Sequence, residues 1–253
     1  MASRMSSIHR PAYGSAPRPV YDGVVNRRPV FAIAWAAALA GFVLVSILAA
    51  VSDKFPGDVW LAHRIQEIDV PVFARPLDWA EHSEDVAEVT LVCAAAFALL
   101  LIARDAAGAL ILPITVSGRV LITWMLKELI ERPRPSAALV HFEDQPSTFS
   151  FPSGHAMGAF VLYGLLFYFA QLHISDGRLR LPLQAACMAI IILTGIERVY
   201  AGHHWPSDVV GGYYASALIV GAVIAAHQIV WRHTSNLRSN WSFSRSAAAT
   251  NLE

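Results

Sequence analysis

Three polar stretches carry the residues whose types and spacing suit chemistry: KELIERPRP at 127–135, PSGH at 152–155 and RVYAGHHWPSD at 198–208. Lys127, Arg134 and Arg198 would be costly as three converging cations at a membrane surface unless something negative neutralises them. A phosphate group meets that need, because it offers several acceptor oxygens to arginine forks. Ser153 and Gly154 fall at the start of an apolar helix, where unpaired backbone N–H groups and the helix dipole attract anions. Pro152 beside that first turn sacrifices no needed donor. His204 and Asp208 are four residues apart and so share a face at the start of the sixth apolar helix, which places a carboxylate against one imidazole nitrogen and leaves the other free to attack. His155 is then available as an acid. Two histidines with separate roles among three cations point to phosphoryl transfer through a phosphohistidine.

Positioning those stretches falls to a membrane bundle. The chain has 253 residues, of which 55% are hydrophobic and 15% charged. A soluble domain carries about a quarter charged residues, so this composition is too apolar for water. The formal net charge of zero offers no basis for nucleic-acid binding. A bilayer crossing takes about 20 helical residues, and six stretches approach that length: 31–51, 86–103, 106–126, 154–172, 181–197 and 209–231. The expected fold is therefore all-α, a six-helix transmembrane domain over 31–231. It is flanked by an N-terminal tail, 1–30, and a Ser-rich C-terminal tail, 232–253. No internal repeat is evident, and a retained first helix fits 31–51 better than a cleaved leader, whose apolar core is usually shorter.

Arginine placement orients the bundle, because short cytoplasmic loops collect basic residues. The N-terminal tail holds Arg4, Arg10, Arg18, Arg27 and Arg28 against Asp22. With that tail inside, six crossings also place Arg178, Arg180, Arg232, Arg238 and Arg245 inside. The 52–85 segment falls outside, with eight Asp/Glu against Lys54, Arg64 and Arg75. Both termini are thus expected in the cytoplasm, with the 127–153 and 198–208 loops together on the outer face.

The three stretches resemble the three signatures of the type 2 phosphatidic acid phosphatase family, which is related to vanadium-dependent haloperoxidases. The family's lysine followed after six residues by Arg-Pro matches Lys127, Arg134 and Pro135. Its Pro-Ser-Gly-His matches 152–155 in full. Its arginine, histidine and aspartate at fixed spacing match Arg198, His204 and Asp208. The resemblance implies a membrane-embedded lipid phosphatase that works without a metal or other cofactor. It assigns attack on phosphorus to His204, orientation of that ring to Asp208 and protonation of the leaving oxygen to His155. Phosphate binding falls to Lys127, Arg134 and Arg198 with Ser153 and Gly154.

One position departs from the family pattern, whose third signature opens with serine where this chain has Glu197. An acid there competes with phosphate for Arg198. It also offers a counter-charge to Arg119, which lies about two helical turns below Lys127 inside an apolar run and needs a partner. Arg132 reads as a headgroup or solvent contact, and His203 as a bystander, since the spacing to Asp208 selects His204. A zinc site built from His155, His203 and His204 is disfavoured by the surrounding arginines. Cys93 and Cys187 lie in apolar runs and read as packing residues. Pro113 reads as a kink, and the acidic 52–85 segment as a solvated cover anchored by Trp60, Phe73 and Trp79.

The expectation is hydrolysis of a terminal phosphate or diphosphate on a membrane lipid, at the outer face of a bacterial-type inner membrane. Phosphatidic acid, phosphatidylglycerophosphate, undecaprenyl diphosphate and lipid A 1-phosphate all present such a group. Glu143 and Asp144 in the 136–150 loop disfavour highly phosphorylated headgroups. Rival readings are a lipid-to-lipid phosphotransferase, a non-hydrolytic phospholipid binder or transporter, and a haloperoxidase-like enzyme.

Overall fold

The computed structural model describes residues 28–68, 85–142 and 144–250. The 1–27 part of the N-terminal tail, the 69–84 stretch with Phe73 and Trp79, Glu143 and residues 251–253 lie outside the described residues. So do the side chains of Arg28, Arg232, Arg238 and Arg245.

Seven helices and no strand occur among the described residues: α1 (Arg28–Val51), α2 (Asp58–Gln66), α3 (Val86–Ile102), α4 (Ala106–Ile130), α5 (Gly154–His173), α6 (Gly177–Tyr200) and α7 (Pro206–Thr250). Five of them, α1, α4, α5, α6 and the Pro206–Trp231 part of α7, are long and apolar enough to cross a membrane. α3 is apolar but shorter, at 17 residues. These six occupy the six expected segments, and only α2 is additional. α6 begins four residues earlier than its apolar run, capped by Asp176, whose carboxylate accepts from the Arg178 N–H at 2.9 Å. α7 runs without a break into the expected C-terminal tail, as far as Thr250.

α5 forms the axis of the bundle. Its small residues Gly158 and Ala159 and its apolar Val161, Leu162 and Leu165 are all buried. They pack against Ala109, Leu112 and Val116 of α4, Cys187 and Ile191 of α6, and Val220 of α7. The outer surface is apolar instead: Leu44, Ile114, Val120, Leu121 and Ile192 are all more than half exposed. In water such a surface would be an aggregation site; here it is the face offered to lipid. α1 joins through α7, where Gly41 meets the Tyr214 ring and Gly221 meets Trp35.

The helices run antiparallel, so the bundle has two distinct ends. One gathers the C-terminus of α4, the N-terminus of α5 and the α6–α7 turn. At the other, Asp105 caps α4 by accepting from the Gly108 N–H at 2.8 Å. There Asp105 also bonds His173 of α5 at 2.9 Å and His227 of α7 at 3.0 Å. α2 lies across the first end. Gln66 Nε2 donates to the carbonyls of His141 (2.6 Å) and Tyr200 (2.9 Å), and Ala62 joins Val140, Val199, Trp205 and Val209 in a second apolar cluster. The part of the acidic segment that is described is therefore a docked helix rather than a solvated cover, because its inner face carries Ala62 and Asp58, both buried.

Candidate active site

The third polar stretch builds a helix start. Pro206 opens α7, and Asp208 accepts from the Trp205 N–H at 2.9 Å while its own N–H donates back to the Trp205 carbonyl at 2.9 Å. The first of these bonds is one half of a capping box, the acid at the third helical position reaching back to the N-cap N–H, with proline at the first helical position. His204 lies just before the helix, so it shares no helical face with Asp208, contrary to the sequence reading. The turn brings them together instead, with Nδ1 of His204 3.6 Å from Oδ2 of Asp208. Gly202 makes the turn possible: its φ is +71°, and a Cβ there would lie 2.3 Å from the His141 carbonyl oxygen.

Ser153 caps α5 by accepting from the Ala156 N–H at 3.5 Å, and its own N–H donates to the Asp208 carbonyl at 3.1 Å. Its side chain is wholly buried in this capping role. Ser153 thus fixes the turn from behind, while Gly154 and His155 reach the cavity in front.

That cavity has a volume of about 380 Å³, and its wall includes Lys127, Arg134, Gly154, His155, Arg198 and His204. Of the eight expected site residues, six line it; Ser153 and Asp208 stand directly behind. Each cation is held by backbone or side-chain acceptors. Lys127 Nζ donates to the Phe149 carbonyl and lies 3.5 Å from that of Ser150. Arg134 donates through Nε to the Thr148 carbonyl (2.7 Å) and through Nη1 to the His203 carbonyl (2.6 Å), with Nη1 3.4 Å from His204 Nε2. Arg198 donates through Nε to Glu197 Oε2. Its Nη1 stands 3.4 Å from His203 Nδ1, and its buried Nη2 has no hydrogen-bond partner among the described residues. A buried cationic donor left this way is costly unless an anion reaches it.

Burial pushes the His204 imidazole down to about 3, with Arg134 and Lys127 adding to the effect and Asp208 opposing it. The ring is therefore neutral at ordinary pH, as a nucleophile requires. Burial likewise lowers Arg134 from its usual value, against the pull of Asp208.

Two residues set aside in the sequence belong here. His203 lines the cavity beside Arg198. Arg132 is no headgroup contact, because its side chain is fully buried and pairs with Asp208 at 2.5 Å and with Asp58 at 3.0 Å. Nothing local marked it, because its carboxylate partners lie 76 and 74 residues away in sequence. Arg119 also lines the cavity, donating to the Gly154 carbonyl at 2.9 Å. Among the described residues, no three His, Cys, Asp or Glu side chains are placed to hold a metal ion.

An apolar-surfaced helical bundle with a cation-lined cavity at one end is an integral membrane protein. The PAP2 superfamily model matches residues 106–232, half of the chain and all of its cavity, and the chain belongs to that superfamily. It is 41% identical over 103 residues to phosphatidylglycerophosphatase B of Bacillus subtilis (strain 168); the matched region covers 39% of this chain and 48% of that protein. The chain thus spans about half the length of this curated relative. The fold is similar to the crystal structure described as the first transmembrane PAP2 type phosphatidylglycerolphosphate phosphatase from Bacillus subtilis. The TM-score is 0.64 at 27% identity, covering 76% of this chain and 96% of that one. It is also similar to the crystal structure of Aquifex aeolicus LpxE, with a TM-score of 0.50 at 25% identity over 68% of this chain and 96% of that one.

Proposed function

We propose that this protein is a metal-independent lipid phosphatase that removes a terminal phosphate from a membrane lipid through a phosphohistidine. The observation that carries the reading is the pairing of His204 Nε2 with the cation-lined cavity, while Nδ1 faces Asp208 on the far side. The phosphatase names of the relatives support the same class.

Lys127, Arg134 and Arg198 bind the phosphate oxygens, with the Arg198 Nη2 donor gaining its missing partner. Nε2 of His204 attacks phosphorus as the bond to the lipid oxygen breaks, and Asp208 balances the positive charge that forms on the ring. His155 gives its proton to the leaving oxygen. Water then attacks the phosphohistidine, His155 takes a proton from it, and inorganic phosphate leaves. The fixed cations stabilise charge that develops on phosphorus, which is where much of the acceleration in such sites arises. We assign this end of the bundle to the outer face of the membrane, on the arginine distribution of the tails and loops.

The test is phosphate release by purified protein in detergent with EDTA, across phosphatidic acid, phosphatidylglycerophosphate, undecaprenyl diphosphate and lipid A 1-phosphate. Release that survives EDTA and vanishes in His204→Ala supports the reading, and the rate ranking names the substrate. Release abolished by EDTA, or release persisting in the variant, refutes it.

A further inference from the structure

Arg132 and Asp58 do not line the cavity, yet both are buried ions, and a buried ion is retained only where its partners offset the lost hydration. Arg132 Nη1 donates to Asp208 Oδ1 at 2.5 Å and to Ser207 Oγ at 2.8 Å, while Nη2 donates to Asp58 Oδ2 at 3.0 Å. Asp58 also accepts from the Ser207 N–H (3.0 Å), the Ser207 hydroxyl (2.6 Å) and the Phe55 N–H (2.8 Å). The Phe55 ring covers one face of the guanidinium, 4.6 Å from Cζ. The clamp joins α2, the loop after α4 and the first turn of α7, parts of the chain some 75 and 149 residues apart.

Its geometry divides the labour on Asp208. Arg132 holds Oδ1, and Oδ2, which accepts from Ser150 Oγ and the Trp205 N–H, is left turned toward His204. The carboxylate cannot rotate without breaking several of these bonds. Charge follows the same division. A guanidinium facing Asp208 alone would draw the carboxylate's charge away from the imidazole. Asp58 takes the other edge of that guanidinium, so the three ions sum to one negative charge. That is the charge needed opposite an imidazole that becomes cationic when phosphorus bonds to it.

The geometry points to Arg132 and Asp58 as positioning residues that set the orientation and charge of Asp208, and through it the ring of His204. α2 is then a working part of the site rather than a cover. The assignment rests on the phosphatase reading for its kinetic consequence, but not for its structural one.

The experiment therefore has two readouts on the full chain in detergent: the tautomer of His204 by ¹⁵N-histidine NMR, and kcat and KM for the best lipid of the panel. Asp58→Asn keeps the shape and one acceptor oxygen while removing the charge. It is expected to lower kcat roughly 10-fold or more with KM changed less than about 2-fold, because an interaction felt mainly as the ring gains charge acts on the transition state rather than on substrate binding. It is also expected to turn a single Nδ1–H tautomer into a mixture. Arg132→Gln is expected to lose more, and the charge-balanced double variant to recover at least about 5-fold over Arg132→Gln, because contacting residues couple. If Arg132→Gln does not fold, Asp58→Asn decides alone. A wild-type kcat with a wild-type tautomer in Asp58→Asn overturns the inference. Absence of phosphate release from the wild-type protein would refute the phosphatase reading instead, and the tautomer would still decide this one.

Discussion

His204 and Asp208 meet through a turn rather than along a helix: Nδ1 of the histidine lies 3.6 Å from Oδ2 of the aspartate, which caps the helix that follows. One carboxylate therefore does two jobs, starting α7 and orienting the proposed nucleophile. Asp208→Asn should retain much of the cap and lose the charge, so folding is expected to survive while kcat falls. The corresponding carboxylate-to-amide change behind the general-base histidine of a Ser-His-Asp triad costs on the order of 10⁴-fold. Rapid quench into alkaline SDS, which preserves the acid-labile phosphohistidine, should with ³²P-labelled lipid show labelled protein in the wild type and none in His204→Ala. Labelling in that variant would place the nucleophile elsewhere.

Burial pushes His204 down to about 3, which makes a sign-definite prediction. Unfolded histidine titrates near 6.5, so below that pH the unfolded chain takes up the proton first. The contribution of His204 to stability is thus fully present above about pH 6.5 and shrinks as pH falls toward 3. In the ligand-free protein its ¹³C-labelled ring signal, identified by loss in His204→Asn, should stay in the neutral position at pH 5. A midpoint near 6.5 would mean that the ring is not buried as described.

The distant end of the bundle should matter for stability and not for turnover. Burial alone would raise the Asp105 carboxyl, but hydrogen bonds from His173, His227 and the Gly108 N–H outweigh it and hold the group well below the usual range. A carboxylate held down in this way stabilises the fold above about pH 4, and that contribution is lost as pH falls further. Removing one partner of a buried ionic cluster costs about 3–5 kcal/mol, so Asp105→Ala should lower Tm by on the order of 10 °C. A Tm within about 2 °C of wild type would show that the cluster carries little of the stability.

Much of this was legible in the sequence because membrane helices announce themselves by length and apolarity, and because the anion site needs particular side chains at fixed spacing. Lys127, Arg134, Gly154, His155, Arg198 and His204 were placed together from those signals alone, and they line one cavity. What escaped notice depends on contacts distant in sequence. α2 is nine residues of mixed character, so no apolar run marks it, and its inner face is defined only by what it docks against. Arg132 reads as solvent-facing until Asp58, 74 residues away, is brought to it. The early start of α6 escaped because Arg178 and Arg180 interrupt hydropathy without interrupting the helix.

Close packing beneath the PSGH turn gives a further prediction. A Cβ at Gly211 would lie 2.2 Å from Cε2 of Phe151, the residue that precedes Pro152, and the ring is fully buried with no room to yield. Overpacking of this kind costs about 1–3 kcal/mol and moves backbone. Gly211→Ala should therefore lower both Tm and kcat, since the backbone that shifts carries Gly154 and His155. A Tm loss with unchanged kcat would show that the ring moves and the turn does not.

Glu197 is the departure from the family pattern, and it is paired with Arg198 at the cavity wall. Its Oε2 accepts from Arg198 Nε, while Arg119 reaches the Gly154 carbonyl from one helix away. If Glu197 is also the counter-charge that the intramembrane Arg119 requires, the two must couple. Arg119→Gln and Glu197→Gln would then each leave a buried charge unbalanced, and the double variant would remove both. The expected coupling is at least about 0.5–1 kcal/mol in a double-mutant cycle on stability. Losses that add within about 0.3 kcal/mol would refute the pairing and leave Glu197 as a partner of Arg198 in phosphate release. In that case Glu197→Gln alone should tighten inhibition by inorganic phosphate, because Arg198 would carry its full charge into the cavity.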